Sequence, residues 1–63
     1  MRVPRFHVTS LAGPELSLDA RESRHAREVL RLGPGDRVLL FDGAGAEALC
    51  EVAEAGKFLR LKK

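Results

Sequence analysis

Apolar and polar positions alternate at the start of the chain. In "RFHV" Phe6 and Val8 point one way and Arg5 and His7 the other, the period of a half-buried strand. Pro4 precedes them at a strand's beginning, where a missing N–H does little harm. Gly13-Pro14 breaks the pattern, and Leu16 and Leu18 resume it in a short second strand.

The period then changes. Asp19 has the chemistry of a helix N-cap, with Glu22 placed where a capping box takes an acid and where a negative charge meets the positive end of the helix dipole. A helix is predicted from Ala20 to Leu32, ended by Gly33 and by Pro34, which cannot continue it. At 100° per residue His25, Ala26, Val29, Leu30 and Leu32 share one side. Arg21, Arg24, Arg27 and Arg31 fall on the other, interrupted by Glu28. The reading is an outward arginine stripe, held in register by a helix whose opposite side is anchored.

Gly33-Pro34-Gly35-Asp36 predicts a type II turn, with Pro34 setting φ at one central position and Gly35 taking the positive φ at the next. "RVLLFD" follows, rich in β-formers and apolar on both faces, as in a strand covered on both sides or wrapped into a small barrel. Asp42-Gly43 signals a hairpin, lengthened by Ala44-Gly45. The next strand sets Ala46, Ala48, Cys50 and Val52 on one face, with Glu47, Leu49 and Glu51 on the other. Ala55-Gly56 turns the chain into "KFLRLKK", a last strand without a closing loop, read as a chain that continues in a larger protein. The expected fold is mainly β, a small barrel of about five strands with one inserted α-helix, forming one domain over residues 1–63. A domain this small buries only about 60% of the surface of its unfolded chain.

Composition removes several kinds of chemistry. Cys50 is the single cysteine, so an internal disulfide and a Cys/His zinc site are excluded, and it reads as a small apolar strand residue. A lone thiol suits a reducing, cytoplasmic compartment, and no apolar run reaches the roughly 18 residues of a membrane span. Ser10, Ser17 and Ser23 lack a base oriented by a third group, and "GAG" at Gly43 to Gly45 sits in a hairpin rather than opening a helix. No catalytic residue and no metal ligand is therefore expected. His25 has two readings, packed beside Val29 and Leu32 or meeting a phosphate at the edge of the stripe, with packing favoured. His7 reads as plain surface.

The net charge is only +2, but eight of the eleven cations are arginine, whose planar fork pairs with phosphate. The candidate RNA-binding residues are Arg21, Arg24, Arg27 and Arg31, flanked by Arg2 and Arg5. With three phenylalanines and neither tyrosine nor tryptophan, a base-stacking platform is disfavoured and backbone reading preferred.

"MRVPRFHV", "HAREVLRLGPGD" and "LLFDGAG" resemble the N-terminal region of the bacterial type E small-subunit ribosomal RNA methyltransferases, which make N3-methyluridine in 16S rRNA. The resemblance spans nearly the whole chain. It implies a PUA-like RNA-binding domain, with a separate C-terminal SPOUT domain that binds S-adenosylmethionine, carries catalysis and forms the homodimer. The chain itself would hold no cofactor and have no catalytic power. Its partner would be 16S rRNA in the small ribosomal subunit. Arg2 and Arg5 match the family's basic N-terminus; His25 and Arg31 match its His and the arginine of Val-Leu-Arg. Glu28 departs from it, standing where relatives often carry a basic residue. A pair with Arg24 or Arg31 at helical spacing would contribute about 0.2–0.5 kcal/mol.

Two other readings stand beside RNA docking. One is an interaction domain packing on its own catalytic domain or a dimer mate through Leu39, Leu49 or Leu59. The other is a free-standing small binding protein.

Overall fold

The computed structural model describes residues 3–63, so Arg2 lies outside the described residues. Strands β1 (Arg5–His7) and β2 (Glu15–Ser17) precede helix α1 (Ala20–Glu28), and β3 (Arg37–Phe41), β4 (Glu47–Ala55) and β5 (Leu59–Lys62) follow it. The strands form one sheet in the order β1-β3-β4-β5-β2, curled into a half-barrel with β1 and β2 at its edges. The mainly β architecture expected from the sequence is present.

Each strand sends its apolar alternate positions to the inner face. Phe6, Val38, Leu40, Cys50, Val52, Leu59 and Leu61 are buried there together with Leu18 and Ala26. β1 runs parallel to β3, in register Phe6↔Leu40, and the remaining pairs are antiparallel. β4 carries a register shift between Val52 and Glu54. The extra residue bends the strand and raises its twist, which helps the sheet curl.

The turn at Gly33-Pro34-Gly35-Asp36 forms as expected. Gly35 takes φ +95°, and the Asp36 N–H donates to the Gly33 carbonyl at 3.0 Å. The turn is bolted to β4, because the Gly35 N–H donates to the Val52 carbonyl and the Val52 N–H to the Asp36 carbonyl, at 2.9 and 2.8 Å. The Asp36 carboxylate closes it by accepting from the Gly33 N–H at 2.9 Å.

The helix differs from expectation in length and in facing. Asp19 caps it, accepting from the Glu22 N–H at 2.7 Å, but the helix stops at Glu28 rather than Leu32. Its buried residues are Ser23 and Ala26, while His25, Val29 and Leu30 are exposed. An apolar tally passes over serine, and Ser23 is what turns the face: its hydroxyl is fully buried and hydrogen-bonded between the Leu18 carbonyl and the Leu59 N–H. The early stop has a packing cause. Leu32 must fold back onto the core to bring the turn to β4, and its N–H donates to the Ala26 carbonyl at 3.0 Å. Arg31 makes that reversal in the left-handed region, at φ +54°.

Candidate nucleic-acid interface

The outer face of the sheet is charged but self-neutralised. Arg37 stands opposite Glu51, Glu51 opposite Lys62, and Lys62 opposite Glu15, so signs alternate across four strands. Arg60 bridges Glu54 at 2.7 Å, and Arg5 bridges Glu47 at 2.9 Å. Arg5 also lies 5.4 Å from the centre of the Phe41 ring. It is therefore held among sheet residues, separate from the helix arginines in its pairing.

On α1 the balance differs. Arg21 and Arg24 are exposed on the outer side, and Arg31 is exposed on the loop that leaves the helix. Arg24 pairs with Glu28 at 3.1 Å, with both side chains largely in solvent, an interaction of small worth. Arg21, Arg27 and Arg31 have no ion pair among the described residues. Arg27 is half-buried, and its Nε is buried without a hydrogen-bond partner among the described residues. The stripe expected from helical spacing is thus divided. Arg21 and Arg24 project from the helix, Arg27 is sunk at its flank, and Arg31 projects from a separate turn.

His25, read as packed, is exposed beside Arg21 and Arg24, because the buried face is rotated toward Ser23. Leu59, offered as part of an exposed apolar patch, is fully buried on the inner face of β5. Leu49 is exposed, directly across from half-buried Leu39. Local sequence does not reveal the role of Ser23, because its backbone partner lies 36 positions away.

Around the Asp42 hairpin the side chains make local structure. The Asp42 carboxylate accepts from the N–H groups of Ala44 and Ala46 at 2.8 and 3.1 Å. The Ala44 bond, more than any other influence, holds this carboxyl below its ordinary range. His7 is exposed, as expected, and meets the Phe41 ring edge-on at 5.5 Å. It also limits Gly43 (φ +78°): a Cβ there would stand 3.3 Å from His7 Nε2. Burial pushes the Cys50 thiol up, as for an inert core residue.

A cleft of about 490 Å³ opens between the sheet's two edge strands. Glu15, Asp19 and Glu22 line it beside His7, and this acidic side is unsuited to a polyanion. Among the described residues no group of three His, Cys, Asp or Glu side chains gathers to hold a metal, and no helix is long and apolar enough to cross a membrane.

The class this fold defines is a small, mainly β domain with one helix over a curled five-stranded sheet. Residues 18–62 match the family described as the RNA methyltransferase PUA domain, and the chain belongs to that family. The Ribosomal RNA small subunit methyltransferase E of Mycobacterium bovis is 39% identical over 54 residues, taking in 82% of this chain and 21% of its own length. A crystal structure of the enzyme of that name from Neisseria gonorrhoeae, bound to S-adenosyl methionine, superposes with a TM-score of 0.84 at 25% identity. The match covers 97% of this chain and 27% of that one. A predicted RNA methyltransferase from Thermotoga maritima gives a TM-score of 0.79 at 30% identity, over 94% of this chain and 27% of its own. The chain spans only about a fifth to a quarter of the length of these relatives.

Proposed function

We propose that the chain, residues 1–63, is the RNA-docking N-terminal domain of a 16S rRNA uridine-N3 methyltransferase, and that α1 with its exit loop is the docking face. The carrying observation is the distribution of charge. Arg5 and Arg60 on the sheet are ion-paired with Glu47 and Glu54, and Arg37 and Lys62 stand opposite carboxylates in register. Arg21 and Arg31, by contrast, make no ion pair among the described residues and Arg24 makes only an exposed one, although Asp19 and Glu22 line a hollow with Arg21. The helix that carries Arg21 and Arg24 is fixed at Ser23 and Ala26, so its backbone needs no ordering when their guanidinium groups meet a phosphate backbone.

In this reading the chain recruits and the rest of the protein reacts. S-adenosylmethionine binding, methyl transfer to uridine N3 and homodimer formation belong to a C-terminal SPOUT domain, and the assembly works on the small ribosomal subunit in the cytoplasm. The Neisseria gonorrhoeae relative with its bound S-adenosyl methionine supports the cofactor assignment. Arg2 and Arg5 would be secondary contacts, Arg5 only after release from Glu47. Arg27 would act chiefly by packing.

The test is binding of a 16S rRNA fragment by the chain and by a variant carrying Arg21→Ala, Arg24→Ala and Arg31→Ala. Loss of two to three phosphate contacts lowers affinity at least tenfold at low salt. Unchanged affinity would refute the face assigned to docking.

A second reading has one observation behind it. Leu49 is 52% exposed across from Leu39, with the Arg37–Glu51 pair on one side and Phe41 opposite Glu47 on the other, a small apolar spot of the kind that packs on a neighbouring domain. Leu49→Lys would weaken association with the isolated C-terminal domain and leave RNA affinity intact.

A further inference from the structure

The exit from α1 carries an apolar pair that the fold leaves uncovered. Val29 is 65% exposed and Leu30 40%, although Leu32, two residues on, packs against the core. Cations lie close to the pair in sequence: Arg24 and half-buried Arg27 on the last turns of the helix, and Arg31 immediately after the pair. The acid nearby, Glu28, is engaged by Arg24.

The backbone at Arg31 adds a second observation. Its φ of +54° is a conformation that glycine adopts freely and an L side chain only at a cost. The turn needs no side chain there to reverse the chain. A guanidinium is nevertheless held at this strained position, next to two uncovered aliphatic groups.

Surface of this composition complements a ligand that presents an uncovered apolar face and a negative charge within a few ångströms of each other. Duplex RNA does not offer that, because its base faces are stacked inside the helix and its exterior is phosphate and ribose. An unpaired nucleotide offers both. We propose that Val29, Leu30 and Arg31 receive an unpaired nucleotide of the RNA, with the base lying on the aliphatic pair and the flanking phosphate held by Arg31 and Arg24. The proposal rests on the RNA-docking reading above and deepens it: the domain selects a non-duplex element.

The test compares a dye-labelled single-stranded oligouridine with an RNA duplex of equal length by fluorescence anisotropy. V29S alone, at the more exposed position, should melt with the parent chain. The variant V29S/L30S, in which Leu30 is 40% exposed, should stay folded with at most a small drop in Tm. Its affinity for the single strand should fall about fivefold, while duplex affinity and both salt slopes stay unchanged. A second variant, R24A/R31A, should weaken both RNAs. If R24A/R31A weakens both and V29S/L30S weakens neither, or weakens both equally, the nucleotide site is overturned and the docking face survives. An apolar pair serving a protein partner would give the first of these results. If R24A/R31A changes neither RNA, the docking reading itself has failed.

Discussion

The Ser23 hydroxyl accepts a hydrogen bond from the Leu59 backbone N–H at 2.7 Å and donates to the Leu18 carbonyl at 3.2 Å, with no solvent exposure. One side chain thereby ties α1 to β5 and to the end of β2. It sets which face of the helix looks inward, and so which arginines look out. Function on the outer face depends on a polar bond beneath it.

Ser23→Ala leaves the Leu59 N–H buried without an acceptor. The expected loss is about 1–3 kcal/mol, the cost of one unsatisfied buried donor. In a domain of this size that lowers Tm by several degrees or more. A thermal melt followed by circular dichroism checks it. A Tm equal to that of the parent chain would mean that the bond holds nothing.

Arg31→Gly should separate stability from binding. Relief of the left-handed backbone is worth up to about 1 kcal/mol, offset in part by the greater freedom of glycine in the unfolded chain. Tm should hold or rise while RNA affinity falls. A fall in both would show that the Arg31 side chain supports the fold rather than the ligand.

Asp42 gives a pH dependence with a definite sign. Its carboxyl is lowered chiefly by the Ala44 N–H, so the folded state binds the proton less readily than the unfolded one. The stabilisation is fully present above the ordinary carboxylate range and is lost as pH falls through the folded value. Asp42→Ala should therefore melt below the parent chain at neutral pH, with the gap narrowing under acid. A gap independent of pH would assign the effect to the loop backbone.

The strands were legible in the sequence because their inner positions alternate cleanly. Phe6, Val38, Leu40, Leu59 and Leu61 obey period two, and the special turn at Gly35 follows from its proline. The helix was legible at its start, where Asp19 acts through the next few residues, and illegible at its end. Where α1 stops is decided by Leu32 packing on the core and by the turn's bonds to Val52, neither of them local in sequence. The same limit applied to the stripe. Spacing placed Arg27 and Arg31 in line with Arg21 and Arg24, but Ser23 rotated the face, sinking Arg27, and the left-handed reversal took Arg31 off the helix. Pairing of the sheet cations with carboxylates also needs strand register, which no single-strand pattern reveals.

The salt dependence of RNA binding tests the central claim most directly. For the parent chain and the Arg21→Ala, Arg24→Ala, Arg31→Ala variant, the logarithm of the affinity for a 16S rRNA fragment is measured against the logarithm of salt concentration. A steep line is expected for the parent chain and a slope smaller by about two for the variant, the release of counterions from roughly three fewer phosphate contacts. Parallel lines for the two proteins would contradict it, because the charge that meets RNA would then lie elsewhere on the domain.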